Sequence, residues 1–108
     1  MTVLELSKLE KFEPINISDE SREVEGVYCG DLLSWVMGKA KSGDAWITIM
    51  SNINILAVAT LCDVSCIILS ESVAVDDSVV EVSKQKGINI LKTSLTTFET
   101  AVLLNESL

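Results

Sequence analysis

The amino-acid sequence predicts a single α/β domain in which helices cover both faces of a mainly parallel sheet, giving three layers. The chain has 108 residues, and a protein of this size buries roughly two-thirds of its extended surface in one core. Strand-like and helix-like segments alternate from Gly26 onward. Two strand-like segments, 45–50 and 66–69, are apolar almost throughout, which is typical of parallel strands covered on both faces.

Residues 1–23 are predicted to form a short helix followed by an extended segment. Thr2 and Glu5 have the spacing of a capping box, and apolar residues recur at every third position, which indicates a helix over 2–9. Residues 12–17 follow as a short extended piece that ends in a polar turn. We expect this N-terminal region to precede the core of the domain.

The core is predicted to begin with a strand over 24–29 and a helix over 31–41. Asp31 follows the strand directly and is the expected N-cap of the helix. This helix carries more apolar residues than one buried face requires.

A strand over 45–50 and a helix over 53–61 are predicted to form the next unit. Ser51 and Asn52 separate them and are the expected caps of the helix. Because that helix is apolar almost all round, we expect it to be deeply buried.

The last four elements are predicted to be a strand, a helix, a strand and a helix, at 66–69, 76–86, 88–91 and 95–106. Gly87 is the expected stop of the first of these helices, since glycine is favoured just beyond a helix C-terminus. Thr93 and Ser94 lead into the final helix. Residues 24–106 are thus predicted to form a core of four β-α units.

Composition and charge exclude several classes of function. The chain contains no histidine and has a net charge of −8, which removes imidazole chemistry and disfavours nucleic acid as a partner. Neither a phosphate-binding loop motif nor a dinucleotide-binding glycine motif is present. No apolar run is long enough for a membrane span, and the N-terminus lacks the pattern of a secretion signal. We therefore expect a cytoplasmic protein that contacts neither membrane nor nucleic acid.

Small polar residues follow each predicted parallel strand. Ligands of open α/β sheets bind beyond the carboxyl ends of the strands, so these residues are candidates for binding a small molecule. They are Gly30, Asp31, Ser51, Asn52, Asn54, Ser70, Glu71, Thr93 and Ser94. The alternative interpretation is that they are merely helix caps, because the same residue types are preferred there.

The helix predicted for residues 31–41, which has more apolar residues than one buried face requires, indicates a contact surface. Its candidate interface residues are Leu32, Leu33, Trp35, Val36 and Met37. Exposed apolar patches of this kind mark protein contacts, and two-fold homodimers are the commonest oligomers. The alternative is a helix enclosed within its own monomer. Trp46, on the following strand, is expected to lie partly in the core.

Three cysteines, Cys29, Cys62 and Cys66, allow two interpretations. They could form a thiolate metal or redox site, or they could serve as small buried apolar residues. A tetrahedral zinc or iron–sulfur site normally uses four ligands, and only three thiols are present. We therefore predict no metal and no cofactor.

Most of the sequence resembles the DRTGG domain family. The resemblance rests on EGVYCGDLLSWVMG (25–38), AWITIMSNINILAVATLCDVSCIILSES (45–72) and KGINILKTSLTTFETAVLL (86–104). The segments match a strand ending in glycine, a small-residue helix, and a K-G-I-x-[IV]-L strand. The Asp-Arg pair of the family falls near Ser51-Asn52-Ile53, and the Gly-Gly pair falls at Ser70-Glu71, so neither signature is kept.

The resemblance implies a compact, usually dimeric α/β module without established catalytic activity. Related domains lie between the CBS domains of regulatory pyrophosphatases and at the N-terminus of HPr kinase/phosphorylase, where they are regulatory or structural. The chain looks most like short stand-alone members from anaerobic bacteria, some of them encoded near iron-only hydrogenases.

Three hypotheses follow from the residues and the resemblance together. The first is a non-catalytic, homodimerising regulatory or scaffolding module, with a further protein partner as an option. The second is a sensor of a nucleotide or another anion at the predicted carboxyl edge. The third is a hydrogenase-associated redox accessory protein that uses its cysteines.

Overall fold

A computed structural model describes all 108 residues and contains five helices and five strands. In chain order they are α1 (Val3–Ser7), β1 (Phe12–Asn16), β2 (Gly26–Cys29), α2 (Leu33–Lys39), β3 (Asp44–Thr48), α3 (Asn54–Cys62), β4 (Cys66–Leu69), α4 (Asp77–Lys86), β5 (Ile90–Thr93) and α5 (Thr97–Ser107). The α/β class, the mainly parallel sheet and the N-terminal helix that the sequence predicts are confirmed. None of the helices combines the length and hydrophobicity that crossing a membrane requires.

The five strands form one sheet in the order β1-β5-β4-β3-β2. The strands β2, β3, β4 and β5 are parallel, whereas β1 runs antiparallel to β5 with Phe12 opposite Thr93. The N-terminal extended segment is therefore part of the sheet instead of an element that precedes the core. Pro14 lies in this strand, which is at the edge of the sheet where a missing N–H is tolerated.

Helices cover both faces of the sheet, each over its own apolar core. The first face carries α2, α3 and α4, whose buried side chains meet Trp46, Ile67 and Ile90 of the sheet. The second face carries α1 and α5, which pack against Ile47, Ile68 and neighbouring strand residues. Every residue of β3 and β4 is buried, as expected for strands covered on both faces.

The observed ends of the helices and of the last strand differ from the predicted ones in four details. Leu32, and not Asp31, is the N-cap of α2, because the Asp31 carboxylate bonds to β3 instead. Ile53 is the N-cap of α3, which no side chain caps. The last strand and helix begin two residues later than predicted, and Thr96 is the N-cap of α5. A capping box with Glu99 fixes that start.

The helix ends that rest on strong local signals are confirmed. Thr2 and Glu5 form the capping box of α1. Gly87 ends α4 in the left-handed conformation, which glycine adopts without the steric penalty of a side chain.

Candidate functional site

The carboxyl ends of β4 and β5 form a topological switch point. The chain leaves β4 towards α4 on the first face and leaves β5 towards α5 on the second face. The two departing loops remain joined, since the N–H groups of Glu71 and Ser72 donate to the carbonyls of Leu95 and Thr93. Open α/β sheets bind ligands at such points, so this part of the carboxyl edge is the candidate site.

Hydrogen bonds link two of the predicted edge residues, Asp31 and Ser70, across the sheet. The Asp31 carboxylate accepts from the Thr48 hydroxyl at 2.8 Å and from the Ile49 N–H at 2.9 Å. The Thr48 carbonyl accepts from the Ser70 N–H. The Ser70 hydroxyl in turn bonds to the Thr97 hydroxyl at 2.8 Å. The carboxyl edge is thus held in one arrangement from β2 to α5.

Backbone strain marks the loop after β4. Glu71 and Ser72 both have positive φ, of 62° and 56°, which costs roughly 1–2 kcal/mol for each side-chain-bearing residue. The Glu71 carboxylate accepts from the Thr97 N–H at 2.9 Å and helps to hold this conformation. A glycine pair would adopt it freely. The loop after β4 is therefore a strained turn that contacts within the chain hold in place.

A cavity of about 320 Å³ opens beside the switch point, between β5, the start of β1 and the loop after β4. Its lining consists of Glu10, Lys11, Phe12, Glu13, Ser72, Lys92, Thr93 and Ser94. Thr93 and Ser94 were predicted from the sequence, but Lys11 and Lys92 were missed. The signal for them lies in topology, because only an antiparallel β1 brings residue 11 to the carboxyl edge.

The other predicted edge residues fulfil mostly local roles. Gly30 donates its N–H to the Ile47 carbonyl and accepts from the Trp46 indole N–H, so both of its main-chain groups are occupied. The Asn52 side chain accepts from the Asn54 N–H and shapes the turn before α3. Ser51 and Asn54 lie on the same turn, away from the cavity beside β5.

The predicted interface helix exposes part of its apolar set. Leu32, Trp35 and Met37 are exposed, Trp35 by 59%, and the Lys39 ammonium lies 4.2 Å from the centre of the Trp35 ring. Val36 is completely buried, so its assignment to the surface was wrong, and Leu33 packs partly on the core. This exposure also rules out a helix enclosed within the monomer.

Trp46 departs from its predicted position as well. Its side chain is completely buried in the first core, where its indole N–H donates to the Gly30 carbonyl at 2.9 Å. The expectation that it lies only partly in the core was wrong. The hydrogen bond explains how a large side chain with a polar N–H can be wholly enclosed.

The edge strand β2 has apolar side chains on both of its faces. It pairs only with β3, so its outer edge is unpaired. On the first face, α2 presents Trp35, and on the second face Phe98 of α5 is 76% exposed. Phe98 lines a shallow apolar depression with Val27 and Cys29 of β2.

The three thiols do not converge on one site. Cys62 packs against the first core, whereas Cys66 is buried in the second core and Cys29 lies on that second face. Burial raises the pKa of all three thiols, to about 12 for Cys66, and the Asp31 charge adds to the effect at Cys29. A reactive thiol needs the opposite shift, because the thiolate is the reactive form.

Comparison with known protein families identifies the fold's relatives. The family model of the DRTGG domain matches residues 16–107 of the sequence. The chain belongs to the DRTGG domain family. No curated protein matches the chain.

A DRTGG-containing structure supports this assignment at the level of the fold. It comprises the CBS and DRTGG domains of the regulatory region of Clostridium perfringens pyrophosphatase, complexed with the activator diadenosine tetraphosphate. The TM-score is 0.74 and the sequence identity 22%, over 90% of this chain and 43% of that one. The present DRTGG domain therefore spans less than half of the length of that regulatory region.

Proposed function

We propose that this DRTGG domain is a non-catalytic regulatory or scaffolding module that acts as a homodimer. The observation that carries the proposal is the unpaired edge of β2, flanked by exposed apolar side chains of α2 and α5. Membership of the DRTGG family supports a regulatory role. Three unpaired cysteines favour a reducing compartment, so we also propose a cytoplasmic location.

A second copy of the chain is the occupant that fits this surface best. An unpaired strand edge presents a row of free N–H and C=O groups, and the edge of another strand complements them directly. Pairing of β2 with β2 of a second copy around a two-fold axis would extend the sheet without a break. The same contact would bring α2 and α5 of both copies to the interface.

The apolar side chains supply the driving force. Full burial of a leucine or methionine side chain contributes about 1.5–3 kcal/mol, so covering the half-exposed Leu32 and Met37 contributes on the order of 1 kcal/mol each. A two-fold interface counts each residue twice. Trp35 adds a large ring, the residue type most often dominant in interfaces.

Sedimentation velocity on the whole chain at micromolar concentration tests the proposal. We expect a dimer for the unmodified chain, and Trp35→Glu should weaken association by at least about thirtyfold, equivalent to about 2 kcal/mol. Leu61→Glu is the matched control, because Leu61 is also exposed but lies on α3 away from β2. A strict monomer, or equal loss of association in both variants, would contradict the proposed interface.

A second function, the sensing of a small ligand, is supported by the cavity beside the switch point. Its volume falls in the lower part of the range of small-molecule sites, which is about 300–1,000 Å³. A ligand that binds only the native state must raise the melting temperature. A thermal-shift screen with charged and uncharged metabolites at millimolar concentration tests this, and no shift with any compound would reject it.

A further inference from the structure

We propose that the cavity beside the switch point binds the phosphoryl group of a small anion through Lys11 and Lys92. The inference rests on the proposed sensing function and names its ligand class. Four observations carry it, namely two lysines (one on β5 and one just before β1), two exposed serine hydroxyls without a partner in the chain, a loop held by hydrogen bonds, and the position of the cavity at the carboxyl edge.

One of the two lysines lies on β5 and the other on the turn before its antiparallel neighbour β1. Lys92 lies within β5 and is half-buried between buried neighbours, and Lys11 immediately precedes β1. Neither ammonium takes part in a salt bridge or a hydrogen bond within the chain. Because Lys92 is partly withdrawn from water, its charge favours an anionic partner, whereas Lys11 is exposed.

Hydroxyl groups complete the set of donors. The hydroxyls of Ser72 and Ser94 line the cavity without a hydrogen-bond partner in the chain. The Thr93 hydroxyl instead donates to the Lys11 carbonyl at 2.7 Å, which fixes the start of β1 against β5. The Ser72 N–H donates to the Thr93 carbonyl and holds the strained loop in place. The backbone that carries these donors is therefore fixed before any ligand arrives.

The acidic residues around the cavity narrow the ligand class. Glu10 and Glu13 also line it, and Glu13 lies directly opposite Lys92 in the pairing of β1 with β5. These carboxylates repel an extended polyphosphate. A single phosphoryl group, in inorganic phosphate or a phosphate monoester, fits two lysines and two serine hydroxyls best.

Backbone-amide NMR on the whole chain at constant ionic strength tests the inference. Inorganic phosphate and glycerol phosphate are titrated separately, which distinguishes the free ion from an ester, and chloride serves as the reference anion. We expect saturable shifts centred on Ser72 and Ser94. Lys92→Gln and Lys11→Gln should each raise the Kd about tenfold, because each removes one charge-assisted hydrogen bond.

Lys84→Gln is the matched control, since Lys84 lies on α4 outside the cavity and carries the same charge. It should leave the Kd unchanged, and Lys92→Arg should retain most of the affinity. Non-saturable shifts, or equal Kd values for Lys92→Gln and Lys84→Gln in folded protein, would overturn the inference. If an uncharged metabolite raises the melting temperature while phosphate does not bind, the sensing function stands and the phosphoryl assignment fails.

Discussion

Asp31 joins β2 to β3 at the carboxyl edge through the two hydrogen bonds that its carboxylate accepts. One donor, the Thr48 hydroxyl, belongs to a completely buried residue. Loss of the carboxylate would leave the proton of that hydroxyl without an acceptor, which is costly in a buried position, although its oxygen still accepts from the Met50 N–H.

We expect Asp31→Ala to lower the free energy of unfolding by about 1–2 kcal/mol, measured by urea denaturation. The matched control is Asp76→Ala. Asp76 is the N-cap of α4 but makes no side-chain hydrogen bond there, so its loss should change stability by less than about 0.5 kcal/mol. Equal effects of the two substitutions would mean that the Asp31 hydrogen bonds contribute nothing.

Cys66 is expected to make the fold less stable at alkaline pH. Burial raises the pKa of its thiol from 9.0 to about 12, so the unfolded chain releases this proton at a lower pH than the folded one. The contribution is present below pH 9 and is lost as the pH rises towards 12. In this range the free energy of unfolding falls by at most about 1.4 kcal/mol per pH unit.

Urea denaturation between pH 8 and pH 11 measures this slope, and Cys66→Ala should reduce it. Cys62→Ala serves as the comparison. Burial alone raises the pKa of the Cys62 thiol as well, but Cys62 is only half-buried. A slope that is the same in Cys66→Ala as in the unmodified chain would contradict the assignment.

At the scale of the element, the start of α5 depends on one capping box. The Thr96 hydroxyl accepts from the Glu99 N–H at 3.1 Å, and the Glu99 carboxylate accepts from the Thr96 N–H at 3.0 Å. The sequence pattern had pointed to Thr93 and Ser94 instead. Thr93 ends β5, and the Ser94 hydroxyl bonds to nothing in the chain.

Thr96→Ala is therefore expected to destabilise the protein by about 1 kcal/mol, whereas Ser94→Ala should have little effect. Thermal unfolding followed by circular dichroism distinguishes them. If Ser94→Ala were the more damaging substitution, the position of the cap would be wrong.

Local signals were enough to predict most elements but not how they meet. Apolar runs gave β3 and β4, and Gly87 gave the end of α4. The role of Asp31 could not be read in the same way, because it depends on a partner 17 residues away in β3. Here a tertiary hydrogen bond overrides the preference of aspartate for a helix start.

At the scale of the molecule, the candidate site was predicted in part. The carboxyl-edge rule selected Ser70, Glu71, Thr93 and Ser94, which the structure brings to the β4–β5 switch point. Lys11 and Lys92 could not be found from the sequence, because their proximity depends on the antiparallel pairing of β1 with β5. The burial of Val36 depends in the same way on the packing of α2 against the first core.

The arrangement of the whole sheet explains why self-association should use β2. At the opposite edge, β1 carries a proline and is interrupted between Pro14 and Asn16, which makes it a poor template for a further strand. The β2 edge has neither feature. The Gly30 N–H donates to β3, and successive N–H groups alternate in direction along a strand, so the N–H groups of Val27 and Cys29 point outward.

Amide hydrogen exchange of Val27 and Cys29 tests the homodimer most directly, with the unmodified chain measured in concentrated and in diluted samples. We expect slow exchange of both amides in the concentrated sample and fast exchange after dilution, while Leu91 in the interior strand β5 remains protected in both. Fast exchange of the two β2 amides at every concentration would contradict a dimer built on this edge.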